Sequence, residues 1–209
     1  MVQEAPVKPP YEQVETVSSN ALTLQSYELG VQEYINGTAA EVSGTFKDWI
    51  DATLASLPLN AEIMEIGSGF GRDADYIESF GFKVDRTDAT EAFVTFLQSQ
   101  GHSACRFNVL VDAFPMQYDP VFANAVFLHF TPQELEKALQ KIHAALRDNG
   151  VLAFSVKKGE EWTNAKLGQP RYFCYWEQAN LVPFLQKANF KVVTVSEDKR
   201  FLQIIAKRK

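Results

Sequence analysis

The stretch Glu65–Asp88, EIGSGFGRDADYIESFGFKVDRTD, decides how the rest of the chain is to be read. An apolar run, Ala61–Ile66, leads into it, and its length and flanking turn residues predict a strand. Gly67, Gly69 and Gly71 then mark a turn in which missing Cβ atoms permit positive φ and let a ligand approach the backbone closely. A helix is expected from about Gly71 and a second strand over Phe82–Thr87. Asp88 ends that strand, 21 residues after Gly67, where nucleotide-binding βαβ units place the acid that bonds ribose hydroxyls. This half-site is expected to bind a ligand that carries a ribose.

The glycine spacing narrows the ligand. Dinucleotide folds use G-x-G-x-x-G, which seats a pyrophosphate on the helix N-terminus. Here the third glycine comes one residue early, and Arg72 stands where that pattern wants glycine. Glu65, two residues before the turn, would repel phosphate and suits a cation. The pattern E-x-G-x-G-x-G resembles motif I of the class I S-adenosylmethionine-dependent methyltransferases, whose ligand carries a sulfonium and an ammonium. Two other readings compete with it. An NAD-dependent oxidoreductase is disfavoured by Glu65 and Arg72, and a non-catalytic S-adenosylmethionine-binding regulatory or partner subunit by the near-complete motifs.

Composition excludes several classes. The 209 residues suffice for one core with a small lobe beside it. A net charge of −6 argues against a nucleic-acid partner, and the terminal Lys207-Arg208-Lys209 reads as a solvated tail. Cys105 and Cys174 lack metal-type spacing and read as reduced thiols in or near the core, so no metal is expected. With no apolar run of membrane-spanning length and no signal-peptide segment, a cytoplasmic protein with no membrane partner is expected.

Along the chain, residues 1–19 lack periodicity and read as a mobile leader, leaving one domain over 20–209. Leu24, Tyr27, Val31 and Tyr34 share one helical face, and Phe46, Trp49, Ile50 and Leu54 mark a core-facing helix over Thr45–Leu57. A helix over Glu91–Gln100 and a strand over Ala104–Asn108 follow. Val121–Phe130 reads as one continuous strand buried on both faces. Thr131-Pro132-Gln133-Glu134 is a capping box whose helix is expected to close at Asn149-Gly150, before a buried strand over Val151–Val156. The long polar loop Lys157–Pro170 is functional or disordered, and Trp176–Ala188 is a helix that Pro183 delays or breaks. Phe190–Ser196 and Phe201–Ala206 form an antiparallel hairpin. The fold class is α/β: a doubly wound, Rossmann-like sheet, mostly parallel, with one reversed strand.

The hairpin strengthens the resemblance, because the class I methyltransferase sheet has seven strands with an antiparallel seventh. LHF-TPQEL and LRDNGVLAFSVKKGEEW look like the family's fourth-to-fifth-strand stretch, and RYFCYW…ANFKVV is similar to the ends of small-molecule members. The resemblance implies S-adenosylmethionine as cofactor and a small-molecule methyl acceptor. Glu65 would face the amino-acid end, with Gly67, Ser68, Gly69 and Arg72 forming the turn around it. Asp88 would take the ribose hydroxyls, and Ala89, Thr90, Asn108, Val109, Leu110 and Phe127 would surround the adenine. Asn108 replaces an acid often found there, although an amide also bonds a base edge. Tyr27 and Tyr34 either pack or cover the pocket. His129, at the end of the fourth strand, either takes a proton from the acceptor or only bonds the neighbouring loop. Arg171 and Tyr172 are candidate substrate contacts, since a guanidinium suits a carboxylate or phosphate.

Overall fold

The computed structural model describes residues 18–159 and 171–209. In chain order its elements are α1 (Ser19–Gly37), α2 (Gly44–Leu54), β1 (Glu62–Ile66), α3 (Arg72–Glu78), β2 (Lys83–Asp88), α4 (Glu91–Ser99), β3 (Ala104–Arg106), β4 (Tyr118–Ala123), a 3₁₀ turn (Phe127–His129), α5 (Pro132–Ala145), β5 (Leu146–Lys157), α6 (Gln178–Lys187), β6 (Phe190–Glu197) and β7 (Phe201–Arg208). The sheet order is β3-β2-β1-β4-β5-β7-β6, with β7 antiparallel to β5 and β6 and the other pairs parallel. This is the expected seven-stranded sheet with a reversed strand in the C-terminal hairpin. The leader expected over 1–19 lies outside the described residues except for Ser18, whose hydroxyl caps α1 by accepting from the Ala21 N–H at 3.2 Å, and Ser19. Residues 160–170 of the long loop lie outside them too.

Burial explains the layers. Val151–Val156 of β5 are buried on both faces, as a central strand covered by helices must be. One core lies between α5, α6 and the sheet, around Leu139, Ile142, Phe154 and Leu185. The other gathers Trp49, Ile50, Ile77 and Phe122 beneath α2 and α3, and the Trp49 indole N–H donates to the Ile204 carbonyl at 3.1 Å. The capping box on α5 is formed in both directions, with Thr131 Oγ1 accepting from the Glu134 N–H and the Glu134 carboxylate from the Thr131 N–H.

Three expectations fail for local reasons. Val121–Phe130 is not one strand: β4 ends at Ala123, Ala125 has φ +57°, and the chain enters the 3₁₀ turn. Side-chain bonds replace the ladder there, since the Ala125 N–H donates to Ser155 Oγ at 2.8 Å and that hydroxyl donates to the Asn124 side-chain oxygen Oδ1 at 2.6 Å. Nor does the α5 helix run to Asn149-Gly150. It stops at Ala145, because Leu146 is already extended, buried and paired with Tyr118. Cys105, expected near the core, is exposed, since β3 is the edge of the sheet. The C-terminal ends of β1 and β4 diverge at the point where the strand order reverses, which opens the crevice where open α/β sheets bind ligands.

Candidate active site

The turn after β1 is held by close approach and by β2. Gly67 has φ +73°, and a Cβ there would stand 2.5 Å from Val126 Cγ2, so the turn packs directly on the turn that follows β4. Gly71 has φ +94°, and its Cβ would meet Arg86 Nη1 at 2.6 Å. The Ser68 N–H donates to the Thr87 carbonyl at 2.8 Å, while Ser68 Oγ accepts from the Thr87 N–H at 3.1 Å. Asp88 ties both turns together: its carboxylate accepts from the Gly69 N–H at 3.0 Å and the Thr90 N–H at 2.8 Å. A carboxylate offers about four lone-pair positions, so acceptor capacity remains. Burial raises the Asp88 pKa, against those amide bonds.

Asp88 lines a narrow cavity of about 90 Å³. The expected residues Tyr27, Tyr34, Gly67 and Gly69 line it with Ala89, Thr90, Asn108 and Val109. Ligand sites usually hold roughly 300–1,000 Å³, so this conformation is closed. Aromatic rings close it: Tyr34 lies edge-on to Tyr27 and to Phe93, with centroids 5.5 and 5.4 Å apart. Asn124, Ala125, Val126 and Phe93 also form the wall. The polar Asn124 inside an apolar run was the available signal for the first three, and the helical face of α4 for Phe93.

Five residues expected at the cofactor stand behind the wall rather than in it. Phe127 is fully buried and packs on Phe130 and Phe154, because the 3₁₀ turn rotates it into the core and leaves Val126 facing the cavity. Leu110 is likewise in the core. Ser68 is spent on Thr87. Arg72 turns to Asp73 at 2.7 Å and to the Ala39 carbonyl. Glu65 is 3% exposed; burial, reinforced by the Asp73 carboxylate, pushes its pKa up to about 8, and Oε2 is buried without a partner.

On the far side of Tyr27, long-range contacts build a second wall. His129 is 6% exposed and bonds two groups: the Tyr27 hydroxyl at Nε2, 2.8 Å away, and the Tyr172 carbonyl at Nδ1, 2.7 Å away. A carbonyl only accepts, so Nδ1 carries the proton and Nε2 accepts from the Tyr27 hydroxyl. Burial, aided by Arg171 and Lys157, pushes the His129 pKa down to about 3, and the Tyr172 carbonyl opposes this. Arg171 Nη1 donates to the Tyr27 oxygen at 3.0 Å, and the Tyr172 N–H donates to Thr23 Oγ1 at 3.1 Å, so Tyr172 clamps α1 through its backbone. Burial, with Tyr34 nearby, holds the Tyr27 hydroxyl well above the ordinary phenol range. A wider cavity of about 710 Å³ opens here, sharing Tyr27, Tyr34, Ala125 and His129 with the narrow one and adding Lys157, Arg171, Phe173 and Arg200. Elsewhere, Asp75, Glu78 and His102 come within metal-ligand reach of one another, but both carboxylates already bond Arg86.

A family profile described as a methyltransferase domain matches residues 38–195. The chain belongs to that family. It is a class I S-adenosylmethionine-dependent methyltransferase, and S-adenosylmethionine is its cofactor. Solved structures share the fold at low identity. The Burkholderia thailandensis 1,6-didemethyltoxoflavin-N1-methyltransferase, bound to 1,6-didemethyltoxoflavin and S-adenosylhomocysteine, is 20% identical, with a TM-score of 0.72 over 99% of this chain and 93% of its own. A DhpI–SAM–HEP complex is 15% identical, with a TM-score of 0.74 over 91% and 99%. The CcbJ methyltransferase of Streptomyces caelestis is 15% identical, with a TM-score of 0.69 over 88% and 98%. No curated protein matches the sequence.

The methyltransferase's own residues fit this cofactor. Asp88 retains acceptors for ribose hydroxyls, and Gly67 and Gly69 keep the turn free of side chains.

Proposed function

We propose that this methyltransferase acts on a small-molecule acceptor held in the wide cavity, with the cofactor in the narrow one. What carries the reading is the shared wall: Tyr27, Tyr34, Ala125 and His129 line both spaces, so two ligands there would meet. Bound S-adenosylmethionine supplies an electrophilic methyl group with a good leaving group, for in-line displacement. The chain then contributes mainly orientation and exclusion of water. Asp88, Gly67 and Gly69 orient the ribose, Ala89, Thr90, Asn108 and Val109 flank the base, and α1 closes over both. His129 acts through Tyr27: its neutral ring holds the Tyr27 hydroxyl, which fixes the acceptor's place in the shared wall.

Net charge and the absence of a helix able to cross a membrane, among the described residues, support an acceptor free in solution and a cytoplasmic place of work. The leader over 1–19 is dispensable in this reading. The test is calorimetry with S-adenosylhomocysteine and NAD, followed by turnover assays on small thiols, amines and acids beside a protein and an RNA. Binding of the former ligand alone, with turnover confined to small molecules, is expected. Transfer to the protein or the RNA would overturn the acceptor class.

A further inference from the structure

Provided that the wide cavity is the acceptor site, its wall also carries information about acceptor chemistry. Arg171 is the decisive residue. It is 6% exposed, its Nε–H is buried without an acceptor, and among the described residues it has no carboxylate partner. Its guanidinium lies 5.1 Å from the Tyr27 ring centroid and 5.3 Å from that of Phe173. Aromatic faces stabilise such a cation only partly, and burying a charge without a counter-charge is costly.

The surroundings add to this. Arg200 lines the cavity as well, and among the described lining residues the one acid is Glu33, which is exposed. The neutral groups nearby do not offset the charge: Tyr27 presents its oxygen to Arg171 but passes its proton to His129. A preorganised planar fork in a partly aromatic pocket is the arrangement that recognises oxyanions. We propose that the methyl acceptor carries an anionic group, a carboxylate or a phosphonate-type oxyanion, which docks on Arg171. An aromatic or apolar body beside that group fits Tyr27, Tyr34, Phe173 and Phe201, which share the wall with the polar Asn36 and Thr38.

The test titrates benzoate, phenylphosphonate and the neutral isostere benzamide into full-length protein saturated with S-adenosylhomocysteine. At low salt, benzoate or phenylphosphonate is expected to bind at least about 10-fold more tightly than benzamide, a margin that shrinks as salt rises. The ratio of the two anions tells carboxylate from phosphonate. R171Q should lose about 10- to 100-fold in anion affinity with unchanged S-adenosylhomocysteine affinity, and R171K should lose less than R171Q. R200Q, at an exposed position, should lose about 2- to 5-fold and serves if R171Q does not fold. Should the cofactor product bind while the anions bind no better than benzamide, the proposal falls and the cofactor reading stands. Should the cofactor product not bind at all, both fall together.

Discussion

The two walls that meet at Tyr27 are built by opposite means. The cofactor wall is fixed through main-chain amides: Ser68 and Gly69 bond Thr87 and Asp88 about twenty residues on, Thr90 bonds Asp88, and every donor is a main-chain N–H. The acceptor wall is a side-chain object. Tyr27 meets His129 across 102 positions, Arg171 meets Tyr27 across 144, and Tyr172 meets Thr23 across 149. Local main-chain geometry resists substitution because the backbone cannot relax, whereas a long-range side-chain network loses one bond at a time. Substitutions in the first wall should therefore cost more than those in the second.

Gly67→Ala is the harshest probe of that contrast. The added methyl needs space held by Val126 and forces a residue with a Cβ to φ +73°. Loss of about 3 kcal/mol or more of stability is expected from clash and strain together, read as a shift in denaturant midpoint. A wild-type midpoint would show that the two turns move apart freely and that the cofactor wall is not rigid.

Next is Asp88→Ala. Its carboxylate serves the fold as well as the ligand, since the Gly69 and Thr90 amides both lose their acceptor. A stability loss of about 1–2 kcal/mol should accompany a roughly 30- to 1,000-fold loss of S-adenosylhomocysteine affinity. Both quantities are read on one preparation, and unchanged affinity would move the ribose away from this residue.

The same contrast explains what could be read from sequence. The cofactor wall lies in one contiguous stretch whose glycines and acids have fixed spacing, so Gly67, Gly69, Asp88 and Thr90 could be placed before any coordinates. Phe127 could not, because the polar Asn124 in the run does not reveal that it will bond Ser155 and end the strand at Ala123, seven residues before the expected end. Nor could the meeting of Tyr27, His129 and Arg171 be seen, since no periodicity links positions over 100 apart. In the sequence each stands alone, as a helical-face tyrosine, a strand-end histidine and a loop arginine.

Glu65 offers a gentler test of the cofactor wall. Its folded pKa is raised to about 8 from an ordinary 4.5, so between those values the folded state holds a proton that the unfolded state has released. Its contribution is fully present below about pH 4.5 and is lost as pH rises through about 8. Stability without ligand should fall steadily across this window on account of this group. Glu65→Gln should flatten the slope and leave a more stable protein at pH 8.5. A slope unchanged by the substitution would mean that the carboxyl reaches water.

The mildest change, Tyr27→Phe, probes the acceptor wall. It deletes one oxygen, which accepts from Arg171 and donates to His129, and leaves the ring that packs on Tyr34 and Phe93. Stability should fall by only about 1–2 kcal/mol, because two bonds are lost, one of them to a guanidinium, but the wide cavity can admit water to the groups left behind. The pH dependence separates this from a mere packing loss. The folded pKa of His129 is depressed, so its contribution is present above the ordinary value of 6.5 and is lost as pH falls through about 3. Water admitted beside Nε2 would ease protonation, so the variant should resist acid better than its lower neutral-pH stability suggests, and the two curves should converge as pH falls from 6.5 toward 4. Cofactor affinity should hardly move, since the turn and Asp88 keep their bonds. Turnover should fall at least about 10-fold, because the oxygen that holds Arg171 and His129 in place in the acceptor wall is gone. A variant that loses cofactor affinity and turnover together would place Tyr27 in the cofactor wall alone, and the two walls would then share a ring but no chemistry.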